Sequence, residues 1–176
     1  RSLDIKTLII DHHKMKSELP EADGILHPLV PDNNYPFKGF SAAGLAYKVA
    51  QALLGQGALE FLELGALGTV ADLVPLVDEN RILVKSGLTV LSKGDRVGIR
   101  ALKAVSAVPE GPVAGDAVTY RLAPRINASG RLSTAATAAE LLITGDAGEA
   151  QRLARLLHEE NIKRQQLEKT ITAEAR

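Results

Sequence analysis

The sequence predicts an α/β protein that is mostly helical along this chain. Residues 8–10 are large and apolar and end abruptly at Asp11, as in a strand buried on both faces of a parallel sheet. Apolar residues then recur at helical spacing through much of residues 42–176, and no later run has comparable strand character. Because a buried parallel strand needs neighbours, we expect the other strands of its sheet to precede residue 1.

The first half of the chain is expected to form a loop and then two helices. Residues 14–39 are polar and contain four prolines, which predicts a long loop around a short strand at 24–26. Ser41 is suited to cap a helix that stops at Gly55 and whose small-residue face would pack on a sheet. Residues 58–71 are apolar almost all round, which predicts a buried helix.

The second half is expected to be helical around one loop. Asp78 is suited to cap a helix that ends at Gly94, and Asp95 to cap the next. Four apolar residues are expected on or near the inner face of the first of these helices: Ile82, Leu83, Leu88 and Leu91. Residues 108–115 contain two prolines and two glycines and predict a loop. Residues 147–176 predict one helix of about eight turns, too polar for a deep core and therefore an exposed connector.

Composition restricts the chemistry. The chain has 21 basic and 21 acidic residues, so attraction to nucleic acid would have to come from a local patch. It has no cysteine, which rules out disulfides and thiolate metal sites and favours a reducing cytoplasm. A metal would therefore be held by histidine and carboxylate groups. No apolar run approaches the roughly 18 residues that cross a bilayer, so no membrane role is expected.

The first candidate site is the triplet that follows the predicted strand: Asp11, His12 and His13. Open α/β sheets bind ligands just beyond the carboxyl ends of their strands. Two successive histidines cannot point the same way, so one can bind a metal while the other addresses the substrate. The alternative is a solvated histidine pair without a role.

Asp72 is the second candidate. It lies within a run of mostly apolar residues, where an ionised carboxylate would be costly unless a cation or hydrogen bonds compensate for its burial. The alternative is a residue that caps a helix end. Together with a histidine some sixty positions earlier, such a carboxylate suits Mg²⁺ or Mn²⁺, although two or three ligands do not complete a site.

The third candidate is a basic segment. Residues 117–139 contain no acid and three arginines: Arg121, Arg125 and Arg131. Guanidinium groups fork onto phosphate oxygens, Asn127 and Ser129 add neutral donors, and Gly130 allows a close backbone approach. The alternative is scattered surface arginines that pair with acids elsewhere. His27 and His158 are assigned no role.

Three blocks resemble one family. Residues 8–13, residues 65–76 leading to 79–81, and residues 121–132 together resemble the RecJ exonucleases of the DHH phosphoesterase superfamily. The resemblance covers essentially the whole chain. It implies the C-terminal part of a parallel-sheet DHH domain at residues 1–107, a cleft-lining segment of that domain at 108–145, and a connector helix between domains at 146–176.

The resemblance also implies an activity. RecJ-type enzymes degrade single-stranded DNA from its 5′ end, in DNA repair and recombination, using two Mn²⁺ or Mg²⁺ ions. By this resemblance His12 and Asp72 bind metal, His13 contacts the phosphate that is cleaved, and Asp11 supports them as a further catalytic group. The residues expected to line the nucleic-acid cleft are Arg125, Asn127, Ser129 and Arg131. Single-stranded DNA is the expected partner, and the resemblance suggests no particular protein partner.

The chain departs from the family because some of the expected metal-binding residues and one expected domain do not occur in it. RecJ-type enzymes carry an earlier Asp-x-Asp pair and another strand-end Asp, yet no two aspartates here stand two positions apart. The glycine-rich substrate domain expected after the long helix is also missing, so this chain alone is expected to lack robust nuclease activity. Two other functions stay open: a DHH phosphodiesterase for short oligonucleotides or cyclic dinucleotides, and a non-catalytic DHH scaffold.

Overall fold

The computed structural model describes residues 5–15, 18–31, 33–132 and 134–175, without the side chains of residues 131 and 132. The chain divides into two compact units, Arg1–Gly87 (unit 1) and Leu88–Arg176 (unit 2). The boundary lies inside a helix and differs from the functional segments expected at 1–107, 108–145 and 146–176, which stay a prediction.

Unit 1 begins with two short parallel strands, as predicted. β1 (Leu8–Ile10) pairs with β2 (Gly24–Leu26), and the ladder continues with the Asp11 N–H donating to the Leu26 carbonyl at 3.2 Å. The expectation that β1 is buried on both faces is wrong within this structure, because Leu8 remains 63% exposed. The reason is that β2 is its single strand neighbour among the residues described.

Helix α1 (Ala42–Leu54) begins and ends as predicted. The Ser41 Oγ accepts a hydrogen bond from the Gly44 N–H at 3.0 Å, and Gly55 ends the helix with a φ of 55°. The small face of α1 lies on α2 (Leu62–Ala71), since a Cβ on Gly68 would collide with the Cβ of Ala43. The small face of α1 therefore packs on a helix, while α1 also contacts the sheet at β1.

Helix α2 is buried over most of its surface, as predicted, but it begins at Leu62, four residues later than expected. Gly55–Phe61 instead form 3₁₀ turns, because two glycines in this segment disfavour a regular helix. The next helix, α3 (Asp78–Lys93), ends at Gly94 with a φ of 70°, as expected.

One residue predicted on or near the inner face of α3 lies beside the buried face and is exposed. Ile82 is 68% exposed, whereas Leu83 and Leu91 are buried. Leu83, Gly87 and Leu91 recur every four residues and define the buried face, and Ile82 falls beside it. Gly87 fits this face because a Cβ there would collide with α2 at Ala66.

Unit 2 is built from helices. After α4 (Val97–Val105) come a short α5 (Gly115–Ala117), a π turn (Val118–Leu122), α6 (Ala123–Leu132), α7 (Ala136–Ile143) and α8 (Ala147–Glu174). The cap predicted at Asp95 is wrong by one residue, because α4 starts after Arg96. The largest fully buried apolar side chains of the unit are Leu91, Ile99, Leu102, Val118, Leu122, Leu141, Leu153 and Leu157.

The predicted long C-terminal helix is confirmed, with a correction to its role. The side chain of Asp146 caps α8 by accepting from the Glu149 N–H at 2.6 Å. The first half of α8 belongs to the core through Leu153 and Leu157, whereas Leu167 is 52% and Ile171 55% exposed. Only the second half therefore has the exposed character of a connector. Among the described residues, no helix has the combined length and hydrophobicity that crossing a membrane requires.

Candidate metal centre

The turn after β1, residues 11–13, is organised by one carboxylate; we name it the DHH turn. The Asp11 Oδ1 accepts from the backbone N–H groups of His12 at 2.8 Å and of His13 at 3.3 Å. It also lies 2.7 Å from the Nδ1 of His13. The hydrogen bond from the His13 side chain, followed by that from the His12 backbone, lowers the pKa of Asp11 to about 2. Asp11 is therefore ionised at neutral pH and fixes both histidines.

The two histidines point to different surroundings, as predicted. The His12 side chain is 14% exposed and that of His13 is 77% exposed. Because the Nδ1 of His13 faces a carboxylate, this nitrogen carries the proton and its Nε2 is the free one. His13 can therefore meet a substrate, while His12 faces the interior.

Residues 12 and 72 meet although sixty positions separate them. The Nε2 of His12 lies 2.7 Å from the Oδ2 of Asp72. Two neighbouring ligands, each about 2.1 Å from an octahedral ion, are about 3 Å apart, so the observed pair needs little movement to share one ion. The Nδ1 of His12 is buried, and among the described groups it finds no hydrogen-bond partner.

Asp72 stands at an unfavourable place for a negative charge. It is the C-cap residue that follows α2, and its N–H donates to the Gly68 carbonyl at 3.0 Å. The C-terminus of a helix carries partial negative charge, which disfavours a carboxylate unless a cation compensates. Its side chain is 38% exposed, so the cost of deep burial inferred from the apolar context does not arise. The alternative of a helix-end residue is correct for its position, but its carboxylate faces His12.

His27 is the site residue that the sequence reasoning missed. It is 6% exposed, and its Nε2 lies 2.8 Å from the carbonyl oxygen of His13. A signal was present, because His27 directly follows β2 as Asp11 follows β1, and parallel strands end at one edge of their sheet.

These donors fit a hard divalent ion. The possible ligand atoms of Asp11, His12 and His13 lie within 4.8 Å of one another, and Asp72 adds a carboxylate next to His12. Carboxylate oxygen suits Mg²⁺ and Mn²⁺, and imidazole shifts the preference toward Mn²⁺. Within the described part of the chain, His12 and Asp72 supply two converging ligand atoms, whereas an octahedral ion needs six.

The predicted nucleic-acid residues lie on or near α6 in unit 2. Arg125 donates from Nε to the Nδ1 of His158 at 3.1 Å and from Nη1 to the Arg121 carbonyl at 2.6 Å. Burial, and then the charge of Arg121, lower the pKa of Arg125. His158, which was assigned no role from the sequence, therefore orients this guanidinium across 33 positions of sequence.

The other residues of this group differ in accessibility. Asn127 is exposed, whereas Ser129 is fully buried and donates to the Ile126 carbonyl at 2.9 Å. Ser129 is thus a core residue of unit 2 and has no surface to offer a nucleic acid. The side chain of Arg131 lies outside the described residues. Gly130 is open, since a Cβ there would meet nothing within 4 Å.

Comparison with known proteins confirms the resemblance to RecJ. No family model matches the chain. The chain is 41% identical over 175 residues to the single-stranded-DNA-specific exonuclease RecJ of Bacillus subtilis and 36% identical over 191 residues to that of Escherichia coli. Each match covers 99% of this chain.

Solved structures agree with the sequences. A crystal structure of Thermus thermophilus RecJ in complex with Mn²⁺ matches 97% of the chain with a TM-score of 0.82 and 36% identity. A crystal structure of exonuclease RecJ bound to manganese matches 96% with a TM-score of 0.77. The mostly helical fold with a small parallel sheet is therefore similar to part of the solved RecJ structures.

The relatives are much longer than the match. The chain spans 22% of the Bacillus subtilis protein and 33% of the Escherichia coli protein. It covers 26% of the Thermus thermophilus chain.

Proposed function

We propose, taking the RecJ resemblance as the premise, that this chain supplies part of a two-metal phosphodiesterase site acting on single-stranded DNA. The activity is 5′ to 3′ exonucleolytic hydrolysis in DNA repair and recombination, in the cytoplasm. The observation that carries the proposal is the 2.7 Å approach of His12 Nε2 to Asp72 Oδ2 at the end of a parallel strand. A hydrogen-bonded pair of purely structural value would not need an acid at a helix C-terminus.

His12 and Asp72 would hold one Mn²⁺ or Mg²⁺ ion through Nε2 and Oδ2. When bound, the two ions of a complete site lower the pKa of an attacking water and offset charge on the phosphate oxygens. Two ligands do not complete such a site, so the proposal requires further carboxylates from a longer protein. The greater length of the relatives supports this requirement.

His13 would contact the phosphate that is cleaved. Its Nδ1 is held by Asp11, and its exposed Nε2, when it also carries a proton, can donate to a phosphate oxygen. The Asp11 carboxylate lies against the opposite side of the ring and holds its orientation. Asp11 thus acts through His13 and the backbone of the turn.

The α6 surface would contact the backbone of the DNA. Arg125 and Asn127 present donors there, and Arg121 adds a second cation four positions before Arg125. Guanidinium groups bind phosphate by forked hydrogen bonds, which suits contact independent of sequence. Arg131 belongs to this surface by resemblance, and the buried Ser129 does not.

Incubation of the intact protein with Mn²⁺ and 5′-phosphorylated single-stranded DNA tests the proposal. We expect stepwise shortening from the 5′ end, little action on blunt duplex, and no cleavage by residues 1–176 alone. Unlabelled dinucleotides should compete poorly if long strands are the substrate. No shortening with any divalent metal would refute the proposal, and preferred cleavage of dinucleotides would indicate the oligonucleotide phosphodiesterase instead.

A further inference from the structure

We propose that His27 is a positioning residue that fixes where His13 presents its imidazole to the phosphate. The inference rests on the proposed function, in which His13 makes that contact. His27 lies at the end of β2, beside the DHH turn at the end of β1. It acts on the main chain of the turn and touches neither of the two proposed metal ligands through any described hydrogen bond.

The His27 side chain continues the sheet where its backbone ladder stops. The last ladder bond runs from the Asp11 N–H to the Leu26 carbonyl at 3.2 Å. Two residues further along, the turn leaves the strand direction, and the Nε2 of His27 reaches the His13 carbonyl at 2.8 Å. The His27 side chain thus takes the place of a backbone donor for the His13 carbonyl, which lies beyond the end of the ladder.

The partners of His27 define its tautomer. The Leu29 N–H donates to Nδ1 at 3.1 Å, so this nitrogen carries no proton. The His13 carbonyl can only accept, so Nε2 carries the proton. Both ring nitrogens are therefore used, and water cannot easily replace either bond because the residue is 6% exposed.

His13 is consequently held by its backbone on both sides. Its N–H donates to Asp11 and its carbonyl accepts from His27, while its side chain stays 77% exposed. A fixed main chain with an exposed ring holds the His13 imidazole in one position, so little reorganisation is needed before it contacts a substrate.

Three substitutions distinguish a positioning role of His27 from a role in stabilising its loop. His27→Leu removes the bond to His13 but keeps a side chain suited to the mostly apolar cavity of about 520 Å³ that His27 lines. His27→Gln keeps an N–H donor at about the reach of Nε2. Asn33→Leu is the matched control, because it breaks three bonds that tie the same loop, to the carbonyls of His27 and Pro28 and from the Tyr35 N–H, and keeps the imidazole of His27.

The test uses the full-length protein that contains this chain, with Mn²⁺ and single-stranded DNA. We expect His27→Leu to lower kcat about 10- to 100-fold, the size of effect that a small misplacement of a catalytic group produces. Calorimetric Mn²⁺ affinity should stay unchanged, His27→Gln should recover most of the rate, and Asn33→Leu should lose little. Three results would each overturn the proposal. They are an equal loss of kcat in His27→Leu and Asn33→Leu, no recovery of kcat in His27→Gln, and a loss of Mn²⁺ affinity in His27→Leu.

Amide hydrogen exchange provides a readout that needs no substrate. Peptides covering residues 11–15 should exchange faster in His27→Leu and at the wild-type rate in Asn33→Leu. An unchanged rate in His27→Leu overturns the role of His27 whatever the activity. Failure of the wild-type protein to degrade DNA would instead refute the proposed function, so the two failures can be told apart.

Discussion

In the proposed function, the side chains of the DHH turn divide between metal binding and phosphate contact. His12 points inward to Asp72, and His13 points outward with its Nδ1 occupied by Asp11. Adjacent positions and opposite directions were predictable, because successive residues at a strand end face opposite sides. The role of His27 was not, since a histidine in a proline-rich loop gives no sign of the carbonyl it will meet.

His13→Ala should separate the two functions of the turn. We expect kcat of the full-length protein to fall about 100- to 1,000-fold, the usual cost of losing one donor to the transition state. Mn²⁺ affinity should be retained, because His13 is not a proposed ligand. Steady-state kinetics beside calorimetry measure both quantities, and a loss of Mn²⁺ binding would place His13 among the ligands.

Arg125→Gln should weaken binding of single-stranded DNA in the full-length protein. Loss of one phosphate contact reduces the slope of log K against log salt by about 0.7 for a single strand. Ser129→Ala is the matched control, since its hydroxyl is buried and bonded to Ile126. Fluorescence anisotropy over a salt series gives the slope, and equal effects of the two substitutions would remove Arg125 from the interface.

At the scale of elements, the helices position the site through small residues. Ala43 of α1 approaches Gly68 of α2 so closely that no Cβ fits between them, and Asp72 stands one turn after Gly68. The helix limits at Ser41, Gly55 and Gly94 were predictable, because caps and stops depend on local chemistry. The start of α2 and the exposure of Ile82 were not, because they depend on neighbouring helices.

Two helical glycines should respond oppositely to alanine. Gly68→Ala forces α1 and α2 apart and should cost about 1 to 3 kcal/mol of unfolding free energy. Gly130→Ala meets open space within α6 and should add about 0.5 to 1 kcal/mol. Urea denaturation measures both. A stabilised Gly130→Ala variant that binds DNA less well would support the close backbone approach predicted for Gly130.

For the chain as a whole, family resemblance predicted more than periodicity did. The blocks around His12, Asp72 and Arg125 carried the resemblance to RecJ. The 2.7 Å contact between His12 and Asp72 is a long-range consequence of folding that no local pattern contains. The same limit explains why the burial of Ser129 was not predicted. A serine near arginines suggests a phosphate contact, yet its place on the buried side of α6 depends on how the helices of unit 2 pack.

The central claim is that His12 and Asp72 together hold one of two divalent ions. Calorimetric titration of the full-length protein with Mn²⁺ tests it most directly, with circular dichroism to confirm that each variant is folded. We expect the wild-type protein to bind two Mn²⁺ ions per molecule. His12→Ala and Asp72→Ala should each bind about one ion fewer, or bind one of the two ions with greatly reduced affinity. Unchanged stoichiometry and affinity in either folded variant would contradict the claim.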